Sequence, residues 1–380
     1  MIPMQRTGVA NLPLHGGRAP AWLTVRMSKL AKEVADIMID EHGTGTFLRR
    51  VSDPYWFQAL GCVLGYDWHS SGVTTVLTGV LKQALSPEEH GMVVCGGKGR
   101  TSRKTPMEIA SIGEKFGFSE EQIQALTYTS RMTAKVDNTA IQAGYQLYHH
   151  AFLLTEDGKW ALIQQGMSSA DRSARRYHWL SDATTSLIVE PHNAIVGDLK
   201  RDKALNMTAK NSEGARKASV DIAKEPTAKV MRLFEATRPP HQRSLQEWLP
   251  KPELDPWRRS VEALSMPRTI SWNTMRRVYE FQPRNYEGLL SVKGVGPATV
   301  RGLALVAELI YGEKPSWEDP VKFSFAYGGK DGVPFPVDRR AMDESIQVLR
   351  QAVEAAKVGE KEKLRSLRRL RRFVPATYSN

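Results

Sequence analysis

The stretch Leu289-Leu290-Ser291-Val292-Lys293-Gly294-Val295-Gly296-Pro297-Ala298-Thr299-Val300-Arg301-Gly302-Leu303-Ala304 decides how this chain is read. Gly294 and Gly296 permit the positive φ and close backbone approach of a tight hairpin, and Pro297 suits the first turn of a helix. Leu303, Val306 and Ala307, with Ile310 after them, then recur at helical spacing. A hairpin feeding a helix N-terminus presents unpaired N–H groups and the positive end of the helix dipole, an arrangement suited to a phosphate. Lys293 and Arg301 add positive charge.

The stretch resembles a helix-hairpin-helix module. That resemblance implies a grip on the phosphates of one nucleic-acid strand without reading of its bases, with Lys293, Gly294, Val295, Gly296, Ala298, Thr299 and Arg301 as the contact set. The pattern departs from the usual one at Ala298, where a basic residue is common, and at Val300, where a small one is usual. The competing reading is an ordinary helical corner of a core.

Charge agrees with a polyanionic partner: 53 Lys and Arg against 41 Asp and Glu give a net charge of +12 over 380 residues. Hydrophobic content of 41% is ordinary for a globular chain long enough for two or three domains. Two cysteines, Cys62 and Cys95, exclude a disulfide framework and are expected as buried thiols in a reducing compartment. The first residues lack the apolar core of a signal peptide and no stretch is long enough for a membrane span, so a cytoplasmic protein without membrane contact is expected.

Working outward, Asp53-Pro54 is expected to cap a helix carrying Trp56, Phe57, Leu60, Val63 and Leu64, and Val73 to Leu85 to form the next. Met92 to Cys95 reads as a buried strand running into the basic glycine loop Gly96 to Lys104, and Thr105-Pro106-Met107-Glu108 as a capping box that starts a helix. Ser119 to Gln122 starts another. Phe152 to Thr155 and Trp160 to Ile163 flank an Asp157-Gly158 turn, a hairpin signal. The proline-bearing segment 198–256 reads as a charged linker with short helices. The expected fold class is α+β: a mixed N-terminal domain (1–197) with a small β element and the polar site, the linker, an all-α helix-hairpin-helix domain (257–345), and a basic C-terminal helix and tail (346–380). Leu364, Leu367 and Leu370 leave an arginine-rich opposite face on that tail, which suits a nucleic-acid backbone or plain solvation.

Arg6 to Pro20, Asp67-Trp68-His69-Ser70-Ser71-Gly72 and Phe335-Pro336-Val337-Asp338-Arg339 together resemble a prokaryotic family, domain-of-unknown-function family 763, over nearly the whole chain. The resemblance implies no mechanism.

Chemistry is therefore sought among the polar residues between 67 and 192. Phosphodiester cleavage needs a group to activate water, cations to offset phosphate charge and a proton donor for the leaving oxygen. The expected catalytic set is Asp67, His69, Lys98, Asp137, His150 and His178, with Asp67 and Asp137 holding Mg²⁺ or Mn²⁺, and Arg100, Arg103 and Lys104 steadying the nucleic acid. His149 and His150 are adjacent, so on a strand they point to opposite faces. Lys98 is followed by Gly99 rather than Ser or Thr, so the loop is not a Walker A sequence and ATP hydrolysis is not expected. Asp338 is loosely similar in position to the aspartate of helix-hairpin-helix glycosylases, but the interval from the hairpin is too long and Ala298 replaces the lysine of their lyase members. The sequence thus predicts a DNA-binding protein, with RNA also compatible, that acts as a structure-specific, metal-dependent nuclease on bubble, flap or single-strand junction DNA. The alternatives are a non-enzymatic recruitment protein for repair or recombination, with repair proteins as partners, and a glycosylase-like enzyme.

Overall fold

A computed structural model of the protein describes residues 21–66, 71–197, 199–237, 266–321 and 339–373. The first layer consists of α1 (Ala21–His42), α2 (Thr44–Ser52), α3 (Pro54–Leu64) and α4 (Gly72–Ala84), followed by a single turn, α5 (Pro87–His90). Asp53 caps α3 as its sequence predicts, its side chain accepting from the Trp56 N–H at 2.7 Å, an interaction worth about 1 kcal/mol. Every residue of α3 is buried, because helices cover it on several sides.

The chain then enters β1 (Met92–Lys98), α6 (Thr105–Lys115), α7 (Glu120–Lys135) and a π-helical turn (Val136–Ala140) leading to the two-residue β2 (Ile141–Gln142). Next come β3 (Gln146–Thr155), β4 (Trp160–Ser168), β5 (Ser173–Leu180), β6 (Ala194–Gly197) and the short β7 (Leu205–Asn206). Five strands form one antiparallel sheet in the order β1-β3-β4-β5-β6, and β2 pairs with β7. The Asp157-Gly158 turn joins β3 to β4, as expected.

Alternation along the strands divides the side chains between two cores. Met92, Val94, Ala151, Leu153, Ala161 and Ile163 pack with α1 to α4. Val93, Cys95, Phe152, Leu154, Leu162, Tyr177 and Trp179 pack on the opposite face. That face is covered by α6, α7, α8 (Glu213–Ala223), α9 (Thr227–Ala236), α10 (Trp272–Phe281), α11 (Tyr286–Ser291) and α12 (Pro297–Tyr311). The result is a helix–sheet–helix arrangement of mixed α and β structure.

The cores cut across chain order. The segment expected to link domains supplies Ala215, Val220, Ile222, Val230 and Phe234 to the same core as the sheet, so α8 and α9 are structural helices. At the other end, α13 (Arg339–Ala355) and α14 (Glu360–Phe373) return to the first layer, where Leu349, Val353, Ala356 and Leu370 pack on it. Of the leucine stripe, Leu370 is buried and Leu367 packs against the core, whereas Leu364 is exposed. Both cysteines are free and buried, and burial pushes the Cys95 thiol up to about 12. Among the described residues no helix is long and apolar enough to cross a membrane.

Two local expectations need correction. Ser119 and Gln122 do form a capping box, but Thr105 and Glu108 do not. Thr105 lies inside α6 and its hydroxyl donates to the Ser102 carbonyl at 2.8 Å, while Glu108 Oε2 accepts from Lys82 Nζ at 2.6 Å and from the Gly96 N–H at 2.8 Å. The basic loop is also more ordered than its glycines suggest: Gly96 to Lys98 complete β1, and Gly99–Lys104 form a 3-10 turn.

Candidate functional site

Gly96 sets the position of this basic turn. Its φ is +90°, and a Cβ there would lie 2.3 Å from the His150 carbonyl oxygen and 2.2 Å from Thr105 Oγ1, so only glycine lets β1 and α6 approach His150 this closely. Arg100, Arg103 and Lys104 project from the turn into solvent, and Lys98, at the end of β1, holds its ammonium 5.9 Å from the centre of the Tyr148 ring.

The Val292 to Gly296 hairpin between α11 and α12 meets the same region. Gly294 has the expected positive φ of +99°, whereas Gly296 is extended at −137° and stands at the N-cap position of α12 without a side-chain cap. The hairpin is held from the sheet side. Lys135 Nζ donates to the Val295 carbonyl, and Gln142 Nε2 donates to the Pro297 carbonyl at 2.9 Å. Of the expected contact set, Lys293 and Gly294 are exposed, Ala298 and Arg301 are half-buried, and the side chains of Val295 and Thr299 are buried. Those two therefore shape the hairpin from inside.

Between the basic turn and the hairpin lies a cleft of about 600 Å³, lined among others by Arg103, Arg131, Lys135, His150, Gly296 and Pro297. Beneath it runs a chain of hydrogen bonds. Ser130 Oγ lies 2.9 Å from His150 Nε2, and His150 Nδ1 lies 2.8 Å from Gln164 Oε1. Gln164 Nε2 donates to Asp137 Oδ2 at 2.6 Å, Trp179 Nε1 donates to the same oxygen at 3.0 Å, and His192 Nε2 contacts Asp137 Oδ1. The strand register explains how these groups meet: His150 pairs with Gln164, which pairs with Tyr177, so the side chains of His150 and Gln164 are neighbours on one face. Burial pushes the Asp137 carboxyl up, opposed by His192, Trp179 and Gln164, and burial brings His150 down to about 4.

The expected catalytic residues do not all gather here. Asp137 and His150 are joined through Gln164. His178 lies on the opposite sheet face, where its Nε2 accepts from Arg176 Nε at 2.9 Å and Phe57 packs edge-on against its ring at 5.6 Å. Burial and the Arg176 charge hold His178 well below the usual histidine range. His149 points to that face too, with Nε2 3.0 Å from Thr78 Oγ1, as strand alternation predicts. Lys98 stands at the outer end of β1, while Asp67, His69 and Asp338 lie outside the described residues. Both carboxylate oxygens of Asp137 face donors already, and among the described residues no group of three or more His, Cys, Asp or Glu side chains is arranged to hold a metal ion.

Sequence reasoning passed over Ser130 and Arg131. The signal available was faint: Ser130 and Thr133 place hydroxyls on the buried side of an amphipathic helix, and only the fold shows that Ser130 faces a histidine.

No curated protein and no solved structure matches the chain. A family model described as a protein of unknown function, DUF763, matches residues 8–337, and by that match the chain belongs to the DUF763 family.

Proposed function

We propose that this protein binds DNA and cleaves its phosphodiester backbone at the cleft between the 99–104 turn and the 292–296 hairpin. The observation that carries this reading is the convergence of segments distant in the chain: Arg103 from the turn, Arg131 and Lys135 from α7, and the Gly296-Pro297 start of α12 line one cavity. Cations and a helix N-terminus are the two devices by which proteins hold phosphate oxygens. The overall charge of +12 supplies long-range attraction, and the hairpin's likeness to helix-hairpin-helix modules favours DNA held by its backbone. Bubble, flap and single-strand junction DNA are the substrates that suit such a grip, because one strand can enter the cleft while the hairpin holds the other.

The test is a gel-shift series on single-stranded, duplex, bubble and flap DNA and on matching RNA at rising salt, with cleavage scored separately in Mg²⁺, Mn²⁺ or EDTA. Binding that weakens steeply with salt and is lost when Arg103, Arg131 and Lys293 are replaced together by Ala is expected. Absence of salt-sensitive DNA binding would overturn the reading, and tighter binding of RNA would move it to that polymer. Binding without cleavage in any of the three conditions would leave a recruitment protein.

A further inference from the structure

We infer that Ser130 is a nucleophile, activated by His150, that attacks the phosphorus of a bound phosphodiester and forms a covalent phosphoserine link to the strand. The inference rests on the reading of the cleft as a DNA site, and deepens it by naming the attacking atom.

The geometry starts from a donor that has no choice. The Trp179 indole N–H can only donate, and it donates to Asp137 Oδ2. The same carboxylate oxygen takes the Gln164 amide N–H at 2.6 Å, which turns Gln164 Oε1 toward His150. An amide oxygen can only accept, so the proton between them sits on His150 Nδ1. Nε2 of the neutral ring is then an acceptor, and the hydrogen bond of 2.9 Å is donated to it by the Ser130 hydroxyl. Orientation, tautomer and hydroxyl direction all follow from one relay, the arrangement a nucleophilic serine needs from its base. Burial keeps His150 neutral at physiological pH, so the base is available.

Ser130, His150 and Gln164 line the cleft together with Arg103, Arg131 and Lys135. A phosphodiester drawn into this cavity by those cations meets Ser130 Oγ. As the Oγ–P bond forms, the hydroxyl proton passes to His150 Nε2. The bond from phosphorus to one sugar oxygen breaks, and that oxygen leaves with a proton from the Lys135 ammonium, whose burial lowers its hold on it. In the second half, water or a DNA hydroxyl attacks the phosphoserine and gives its proton to Lys135, while Ser130 Oγ regains one from His150. Electrons and protons balance without an oxidant, reductant or further reactant.

The experiment uses the full-length protein and end-labelled bubble and flap DNA in which sulfur replaces either bridging oxygen, so that the leaving group departs without a proton and the adduct accumulates. It is run in EDTA, with gel-shift binding measured in parallel. A protein–DNA band that survives denaturation, maps to Ser130 by peptide mass spectrometry and is absent in Ser130→Ala is expected, with Ser130→Ala still binding DNA and unfolding cooperatively, at a melting temperature lowered by the lost hydrogen bond to His150. His150→Gln should slow adduct formation by roughly 10²- to 10⁴-fold, the ordinary contribution of a general base, while the adduct still maps to Ser130. If no DNA binds, the cleft reading itself fails. If DNA binds but no adduct forms at Ser130, or if cleavage survives Ser130→Ala, the nucleophile is overturned and the DNA site stands.

Discussion

Lys135, in the last turn of α7, donates through Nζ to the carbonyl oxygen of Val295 in the hairpin, tying the sheet-side layer to the start of α12. Burial lowers the proton affinity of this ammonium below that of a free lysine. A charged donor on a backbone carbonyl is worth about 1.5–3 kcal/mol, and its loss strands an acceptor that the fold has half-enclosed.

Lys135→Met should therefore reduce stability by about 1–3 kcal/mol in urea denaturation, with an unchanged slope against denaturant. It should also weaken DNA binding beyond the loss of one phosphate contact, because the hairpin loses its brace. A variant as stable as the parent would show that the contact contributes nothing in solution.

Gly294→Ala tests the hairpin itself. The backbone is at φ +99°, and a new Cβ would lie 2.6 Å from Thr274 Oγ1 and 2.7 Å from Arg277 Nη2. Positive φ and crowding together should cost about 1–3 kcal/mol. Calorimetry should show a lower melting temperature and gel-shift assays weaker binding, whereas Gly144→Ala, with φ +85° and nothing near its Cβ, should cost only the backbone strain.

These residues also show how far the sequence could be read. Helix α3, its Asp53 cap, the 155–160 turn and the two helices around Gly294 follow from local rules, because caps, alternation and glycine conformations act over a few residues. The opposite orientations of His149 and His150 follow from the strand period alone. What local rules do not contain is which distant segments share a face. Glu108 reads as a capping partner for Thr105, yet Lys82 and Gly96 claim it, and neither is near it in sequence. Asp137 and His178 look equivalent as polar residues in one region, but alternation along β5 turns Trp179 toward Asp137 and its neighbour His178 to the opposite side of the sheet. Proline and charge made the segment after 198 read as a linker, although α8 and α9 carry an apolar stripe into the core.

Arg175 and Asp319 make a prediction of the opposite kind, on stability far from the cleft. Both side chains are fully buried, and the guanidinium binds the carboxylate through two bonds, Nη1 to Oδ1 at 2.7 Å and Nη2 to Oδ2 at 2.6 Å. Asp319 Oδ2 also accepts from the Arg201 N–H at 2.7 Å, so one carboxylate fastens β5 to the segments around 201 and 319. Asp319→Ala leaves a buried charge without its carboxylate and should destabilise by about 3–5 kcal/mol. Chemical denaturation measures this directly, and a loss below about 1 kcal/mol, the range of exposed pairs, would show that the pair is wetter than the structure has it.

The buried histidines set the response to acid. Burial, with smaller contributions from His150 and Lys98, brings His149 down to about 3, and burial brings His150 down to about 4. In the unfolded chain both titrate near the ordinary histidine value of about 6.5. Between that value and about 4 the unfolded chain therefore binds protons that the folded one refuses, and folding stability must fall as pH drops through the window. Each histidine contributes a slope of up to about 1.4 kcal/mol per pH unit. His178, also held low by burial, adds in the same direction. Asp137 opposes them: its raised carboxyl means the folded chain binds the proton more readily than the unfolded one, so acidification through that range relieves part of the loss. Three histidines outweigh one carboxyl, and the net slope should be a steep fall in melting temperature between about pH 6.5 and 4. His149→Gln removes one of the three and leaves the Ser130–His150–Gln164 relay in place, since the His149 ring contacts Thr78 on the other face of the sheet. Its melting temperature should fall less steeply over the same window, by about one third of the histidine contribution. A parental slope in His149→Gln would mean that His149 is protonated in the folded state, and that the layer between α4 and the sheet admits a charge.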